Sequence, residues 1–447
     1  IIEKEKLRVV TQNSSTNDRR MIDGCVVSLC HRIIMSFFPL LMMRVSTHCF
    51  PPRSSSFTGV SFVFVQRRSI HRCVRLLQES RPKSLDQSGT LRSKKFSNSI
   101  PLFYNDIYEV KLPPTHRFPM EKYRLVREGL QEICQKHEKV SFTPSPLVSI
   151  KDLSLTHTTE YIRRYLNGET TEMENRRAGF PWSRESVLRS LSSTGGTVAA
   201  MHAVCQSHQL SQQTAAIQGG KGIPRIIFAG HLAGGTHHAF SDRAEGFCIF
   251  SDIAVAANVA LRDYGDFVKK ILIVDLDVHQ GNGNAVLFEK EERVITFSMH
   301  CKQNYFSKIE KSDFDVEIEE KTGDHEYLLT LEDWLPQLVD DIRPDLIFYQ
   351  AGVDGLHSDR LGKLKMTREG MQMRNQILYE LALEYEIPVV ITMGGGYPKD
   401  LDVSSTAFQE VIGAHQDVYL DAIKTIAKYH HATPDLNASI SEEELTG

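Results

Sequence analysis

Four segments of the chain share one pattern, a short apolar run leading into a polar loop that contains glycine. They are Arg225–His238 (RIIFAGHLAGGTHH), Ile271–Gly283 (ILIVDLDVHQGNG), Asp345–Asp354 (DLIFYQAGVD) and Pro388–Tyr397 (PVVITMGGGY). In Ile271-Leu272-Ile273-Val274 every position is apolar, which predicts a parallel strand covered by helices on both sides. Elsewhere the period becomes helical. Tyr123–His137 sets Leu125, Val126, Leu130 and Ile133 on one face, and Ser186–Cys205 does so with Val187, Leu188, Leu191, Val198 and Met201 around Gly195-Gly196. Ser251-Asp252 offers an N-cap to a helix over Ile253–Arg262, and Thr367 offers one to Arg368–Glu386. His208–Gly222 (HQLSQQTAAIQGGKG) is polar and glycine-bearing and reads as a surface loop. This alternation predicts an α/β fold, a mostly parallel central sheet with helices on both faces.

The alternation begins after Pro101, which divides the chain into a leader (residues 1–100), one folded domain (101–430) and a fraying tail (431–447). Charge supports the division. Residues 1–100 hold 17 Lys+Arg against 6 Asp+Glu, the remainder holds 35 against 50, and the net charge is −4. No acid occurs between Asp23 and Glu79, where arginines are scattered among serines. That composition suits a disordered extension or an organelle transit peptide, which would direct the chain to a plastid or mitochondrion; otherwise the nucleus and cytoplasm are expected. The chain opens on Ile1, so Met21, Met42 and Met43 are alternative starts. Ile33–Met43 is apolar but short and broken by Ser36 and Pro39, so no membrane span is expected. Eight cysteines without a CxxC pair argue against a structural zinc knot or a disulfide framework. The acidic body gives no reason to expect direct nucleic-acid binding.

The chemistry lies at the carboxyl ends of the four apolar runs, where open α/β sheets bind ligands. Asp277 and His279 are two residues apart and so share a face of an extended segment. Alone, such a pair could merely hydrogen-bond loop amides. Asp354, in a matching context, completes a set of two carboxylates and one imidazole. Three protein ligands leave a position open, which marks a catalytic rather than a structural zinc. His237 and His238 follow Gly234-Gly235, whose backbone freedom lets adjacent side chains turn into one cleft. Two imidazoles there suit general acid and base duties, against the plainer reading of a surface pair. Asp275 and Asn282 flank the metal pair and could each fix the tautomer of one histidine. Tyr397, after Gly394-Gly395-Gly396, is either a packing residue on a turn or a phenol that stabilises an oxyanion. Gly246-Phe247 and Tyr305-Phe306 could wall a narrow slot, although such aromatics belong to cores more often. Taken together these residues describe an enzyme.

The motifs GGTHHA, EGFC-x3-D, DLDVHQGNG, FSMH, QAGVD-x4-DRLG and GGGY, in this order, resemble the histone deacetylase family of the arginase/deacetylase fold across Tyr104 to Tyr419. Gln280 and Asn282 in the HQGNG form, DRLG after Asp354, HRFPMEKYRLVRE at His116–Glu128 and GFPWS at Gly179–Ser183 are similar to the class IV branch of plants and bacteria. The resemblance implies one zinc per chain on Asp277, His279 and Asp354, catalysis by the His237/His238 pair, and a transition-state role for Tyr397. It further implies an acyl-lysine tunnel at Gly246, Phe247, Tyr305, Phe306 and Gly395. A structural potassium ion would use the Asp275 and Ser298 side chains and the carbonyls of Asp277, His279 and Met299. No organic cofactor is implied. The implied activity is zinc-dependent removal of acetyl or longer acyl groups from lysine side chains. Histone tails are the expected substrates, in a chromatin-regulating role with a co-repressor complex as partner. Asn282 departs from the class I and II carboxylate, because an amide orients His238 without raising its basicity as a carboxylate would. The acidic rim residue of class I has no counterpart.

Three other readings compete. An arginase-like hydrolase would need two manganese ions bridged by further carboxylates, yet Gln280 follows the Asp-x-His pair and no acid lies two residues beyond Asp354. Acetylated polyamines or other small amides are a second substrate class. The third is a catalytically weak scaffold, against which the full set of candidate catalytic residues argues.

Overall fold

The computed structural model describes residues 95–113, 116–135, 140–220, 222–305 and 307–432. Phe306, most of the leader and residues 433–447 of the tail lie outside the described residues. Eight strands are described: β1 Ile100–Tyr104, β2 Val140–Pro144, β3 Phe228–His231, β4 Ile271–Asp275, β5 Val294–Cys301, β6 Phe314–Ile318, β7 Leu346–Gln350 and β8 Val389–Thr392. The helices are α1 Lys122–Ile133, α2 Ile150–Leu153, α3 Thr159–Asn167, α4 Glu172–Ala178, α5 Arg184–Ile217, α6 Asp252–Asp263, α7 Asn282–Phe288, α8 Asp324–Ile342, α9 Arg368–Glu384 and α10 Thr406–Ala432.

The strands form one sheet in the order β2-β1-β3-β8-β7-β4-β5-β6. Every ladder in it is parallel. The four apolar runs picked out in the sequence are the four adjacent strands β3, β8, β7 and β4. Side chains alternate between two hydrophobic cores, as a strand period of two requires. Leu272, Val274, Ile347, Tyr349, Val389 and Ile391 join one core, with Val126 of α1, Leu331 of α8, Leu378 of α9 and Val418 of α10. Ile271, Ile273, Leu346, Phe348 and Val390 join the other, with Tyr161 of α3, Met201 of α5 and Ile253 of α6. Helices therefore cover both faces and leave the loops at the strands' carboxyl ends as the place for a site.

The caps at Ser251 and Thr367 are present. Ser251 accepts from the Ala254 amide and Thr367 from the Gly370 amide. His208–Gly222 requires a correction, because α5 continues to Ile217 and the turn begins only at Gln218. Gln and Ala are good helix formers, and an exposed helical turn needs no apolar stripe; the glycines that signalled a loop start only at Gly219. The domain boundaries also shift slightly. Phe96 is buried, forms a bridge with Arg225 and packs 5.2 Å from the Tyr429 ring on α10. The folded unit thus includes the last residues assigned to the leader, and α10 runs to Ala432, into the first residues of the tail. Phe96→Ala is expected to cost about 3–5 kcal/mol, measured by denaturant unfolding. Unchanged stability would place residue 96 outside the folded unit. Among the described residues no helix is long and apolar enough to cross a membrane.

Candidate metal centre and active site

At the carboxyl end of β4 the chain leaves the sheet through Leu276 and delivers Asp277 and His279, while the loop after β7 delivers Asp354. All three are buried, and one ligand atom from each lies within 4.8 Å of the others. His279 Nδ1 stands 3.1 Å from Asp277 Oδ1 and 3.1 Å from Asp354 Oδ2. Ligands around a tetrahedral ion at about 2.0–2.1 Å sit about 3.3 Å apart, so these separations suit a shared divalent cation. The remaining oxygens are held. Gly395 N–H donates to Asp277 Oδ2 at 2.9 Å, and Val278 N–H donates to Asp354 Oδ1 at 2.9 Å. Only one oxygen of each carboxylate therefore faces the common point. Gly395 must be glycine, because a Cβ there would lie 2.1 Å from Asp354 Oδ2.

The loop after β3 carries the histidine pair. Gly234 and Gly235 take left-handed conformations (φ 75° and 77°). The Asp252 carboxylate at the start of α6 fastens the loop by accepting from the Gly235 and Thr236 amides at 2.9 and 2.7 Å. His237 and His238 consequently turn the same way, with ring centroids 3.9 Å apart. His237 Nδ1 lies 2.7 Å from Asp275 Oδ2, and His238 Nδ1 lies 2.8 Å from Asn282 Oδ1. Their electrostatics diverge. Burial opposes a charge on His237, but the Asp275 and Asp277 carboxylates outweigh it and push the imidazole up to about 9. Burial, joined by the neighbouring His237 and His279, holds His238 well below the usual histidine range.

Tyr397 follows the glycine turn after β8. Its ring lies 5.8 Å from Phe247 and 6.3 Å from Phe118. Burial and then the Asp277 and Asp354 charges push its phenol well above the usual range, so it remains a proton donor. Two side chains to which the sequence assigns no role hold this turn. The buried ammonium of Lys122 donates to the Gly394 and Gly396 carbonyls at 3.3 and 3.2 Å, and Asp359 accepts from the Tyr397 amide. Asp252 sits inside EGFC-x3-D, Asp359 inside DRLG and Lys122 inside HRFPMEKYRLVRE, which was the available signal.

Phe247 meets Phe118 and Phe180 at 5.1 and 5.4 Å, forming an aromatic wall beside Tyr397. Behind it lies a cavity of about 50 Å³ lined by Tyr123, Phe180, Arg189 and Phe247 among others, which none of the three metal-facing residues touches. Gly246 packs on His238, and Tyr305 stacks on His238 at 4.2 Å. Asp275 and Ser298 pair directly across β4 and β5, and the Ser298 hydroxyl lies 3.0 Å from His300 Nδ1.

Comparison with known proteins agrees with this layout. A family model described as the histone deacetylase domain matches residues 116–415. An uncharacterized protein of Picosynechococcus sp. is 38% identical over 320 residues, covering 72% of this chain and 99% of its own length. Histone deacetylase 2 of Arabidopsis thaliana is 26% identical over 334 residues, covering 71% of this chain and 81% of its own. Acetoin utilization protein AcuC of Staphylococcus xylosus is 25% identical over 317 residues, with 66% and 76% covered. With a parallel sheet whose central strands end at a buried Asp-His-Asp cluster and a histidine pair, the chain belongs to the histone deacetylase family.

Proposed function

We propose that the protein is a zinc-dependent hydrolase that removes acetyl, or longer acyl, groups from lysine side chains of proteins, histone tails first among them. The observation that carries this reading is the convergence of three inward-facing donors, Asp277, His279 and Asp354, on the side of the fold that also holds His237, His238 and Tyr397. Two oxygens and one imidazole nitrogen suit zinc, and three donors leave room for substrate.

When bound, zinc supplies Lewis acidity toward a carbonyl oxygen and toward water. His238, held neutral, accepts a proton as water attacks the amide carbonyl. His237, charged beside Asp275, supplies positive charge next to the developing oxyanion, and Tyr397 donates its phenolic hydrogen to that oxygen. The proton gathered on His238 then passes to the departing lysine amine. Environments that push two titratable groups apart in this way separate their acid and base roles. Phe247 and Gly246 would flank the lysine chain, together with Phe306 and Gly395. Asp275 and Ser298, side by side on adjacent strands, support a structural potassium ion. The HQGNG form supports a class IV assignment. We place the protein in the nucleus and cytoplasm as a chromatin regulator with a co-repressor partner; the basic, acid-poor composition of residues 1–100 supports a plastid or mitochondrial alternative.

Metal analysis of the purified protein is expected to return one zinc per chain. Two manganese ions per chain would point instead to an arginase-like hydrolase.

A further inference from the structure

Asn282 accepts from His238 where a carboxylate would do so unambiguously, and an amide can present either its oxygen or its nitrogen to an imidazole. What decides between the two lies one residue further out. Asn282 Nδ2 donates to Glu245 Oε1 at 3.2 Å, and the Tyr305 hydroxyl donates to the same oxygen at 3.0 Å. Glu245 is 5% exposed and is carried on a two-residue turn. Glu245 N–H donates to the Cys248 carbonyl at 3.0 Å, Cys248 N–H returns a bond to the Glu245 carbonyl at 2.8 Å, and Gly246 and Phe247 both take positive φ (54° and 67°). That is the hairpin turn that needs two left-handed residues in succession, an uncommon conformation for phenylalanine. The Gly246 and Phe247 amides anchor the turn on the Arg177 and Ala178 carbonyls at 3.2 and 2.9 Å. The carboxylate is thus held in place by backbone on two sides.

The Asn282 amide and the Tyr305 hydroxyl converge on one carboxyl oxygen, Glu245 Oε1, which accepts from both, so Glu245 takes the NH₂ end of Asn282 and leaves Oδ1 for His238. Nδ1 of His238 must then carry the proton, and its Nε2 keeps the lone pair. We propose that Glu245 is a positioning residue that, through the Asn282 amide, fixes His238 in the tautomer able to accept a proton at Nε2. Tyr305 cannot do this alone, since a hydroxyl both donates and accepts. The inference rests on the proposed amide hydrolysis for its catalytic consequence, but not for the tautomer itself.

The test uses the metal-loaded full chain with ¹⁵N-labelled histidine, the His238 signal being assigned with His238→Gln. The wild type should show a protonated Nδ1. Glu245→Ala should give both tautomers of His238 and a fall in kcat of about 10- to 100-fold with little change in KM, the usual scale for loss of an outer hydrogen-bond partner. Glu245→Gln, which keeps size and fold, should also populate both tautomers, because its amide can offer either end to Asn282. Adding Asn282→Asp to Glu245→Ala should restore the Nδ1–H tautomer and most of the kcat, since an aspartate at 282 accepts from His238 without needing a partner of its own. A merely structural role for Glu245 would not be rescued in this way. A His238 tautomer unmoved in both Glu245 variants, or a double variant no better than Glu245→Ala, would overturn the proposal. Spectra that behave as expected in a chain inactive on acyl-lysine would leave the Glu245 assignment standing and remove the substrate assignment.

Discussion

Asp354→Asn is expected to leave a chain that retains no zinc and turns over no acyl-lysine substrate. The change preserves shape, and the amide oxygen can still accept from Val278 N–H, so the loop should persist. What is lost is the charge and the inward-facing lone pair opposite His279 Nδ1. The metal-free protein carries a second signature. Burial and the nearby Asp277 charge push the Asp354 carboxyl up to about 6. The unfolded chain releases that proton near pH 4, at about 3.9 for an ordinary aspartate, so between roughly pH 4 and 6 the folded state binds more protons than the unfolded one. Metal-free wild type therefore loses stability through this group as pH rises across that window, and Asp354→Asn does not. The stability difference, read by chemical denaturation in the presence of chelator, should move toward the variant from pH 4 to pH 6. A flat difference would mean that Asp354 is not the strained carboxylate, and zinc retained at one per chain would remove it from the ligand set.

Tyr397→Phe is expected to lower kcat by about 10²–10³, the usual cost of removing one oxyanion donor. The ring contacts with Phe118 and Phe247 do not involve the hydroxyl, so stability should change by about 1 kcal/mol or less. Zinc content should stay at one per chain, because the phenol is not a ligand. A variant that hydrolyses acetyl-lysine peptides at the wild-type rate would make Tyr397 a packing residue on a glycine turn and would leave the oxyanion needing another donor.

The central strands were legible because burial on both faces leaves a continuous apolar run, and Ile271–Asp275 is the clearest case. The metal-facing residues were legible because Asp277, His279 and Asp354 follow such runs directly, although it is the bend after β4, and not a strand period of two, that brings Asp277 and His279 together. The supporting groups were harder to read. Lys122 lies in a helix whose sequence is otherwise an ordinary amphipathic pattern, and only the fold brings its ammonium beneath Gly394 and Gly396. Glu245 stood in a quoted motif, but its contact with Asn282 joins positions 37 residues apart and depends on a turn with two left-handed residues. The misread segment at 208–217 shows the converse limit, since an exposed helix end built of Gln, Ser, Thr and Ala has the composition of a loop.

Acyl release by the purified, zinc-loaded full chain from a panel of substrates tests zinc-dependent lysine deacylation most directly. The panel comprises acetyl-lysine and myristoyl-lysine histone-tail peptides and an acetylated polyamine, each assayed before chelation, after chelation, and after return of one equivalent of zinc. Release from at least one lysine peptide is expected, lost on chelation and regained with the zinc. Hydrolysis of the polyamine amide alone, or lysine deacylation indifferent to chelation, would contradict a zinc-dependent lysine deacylase.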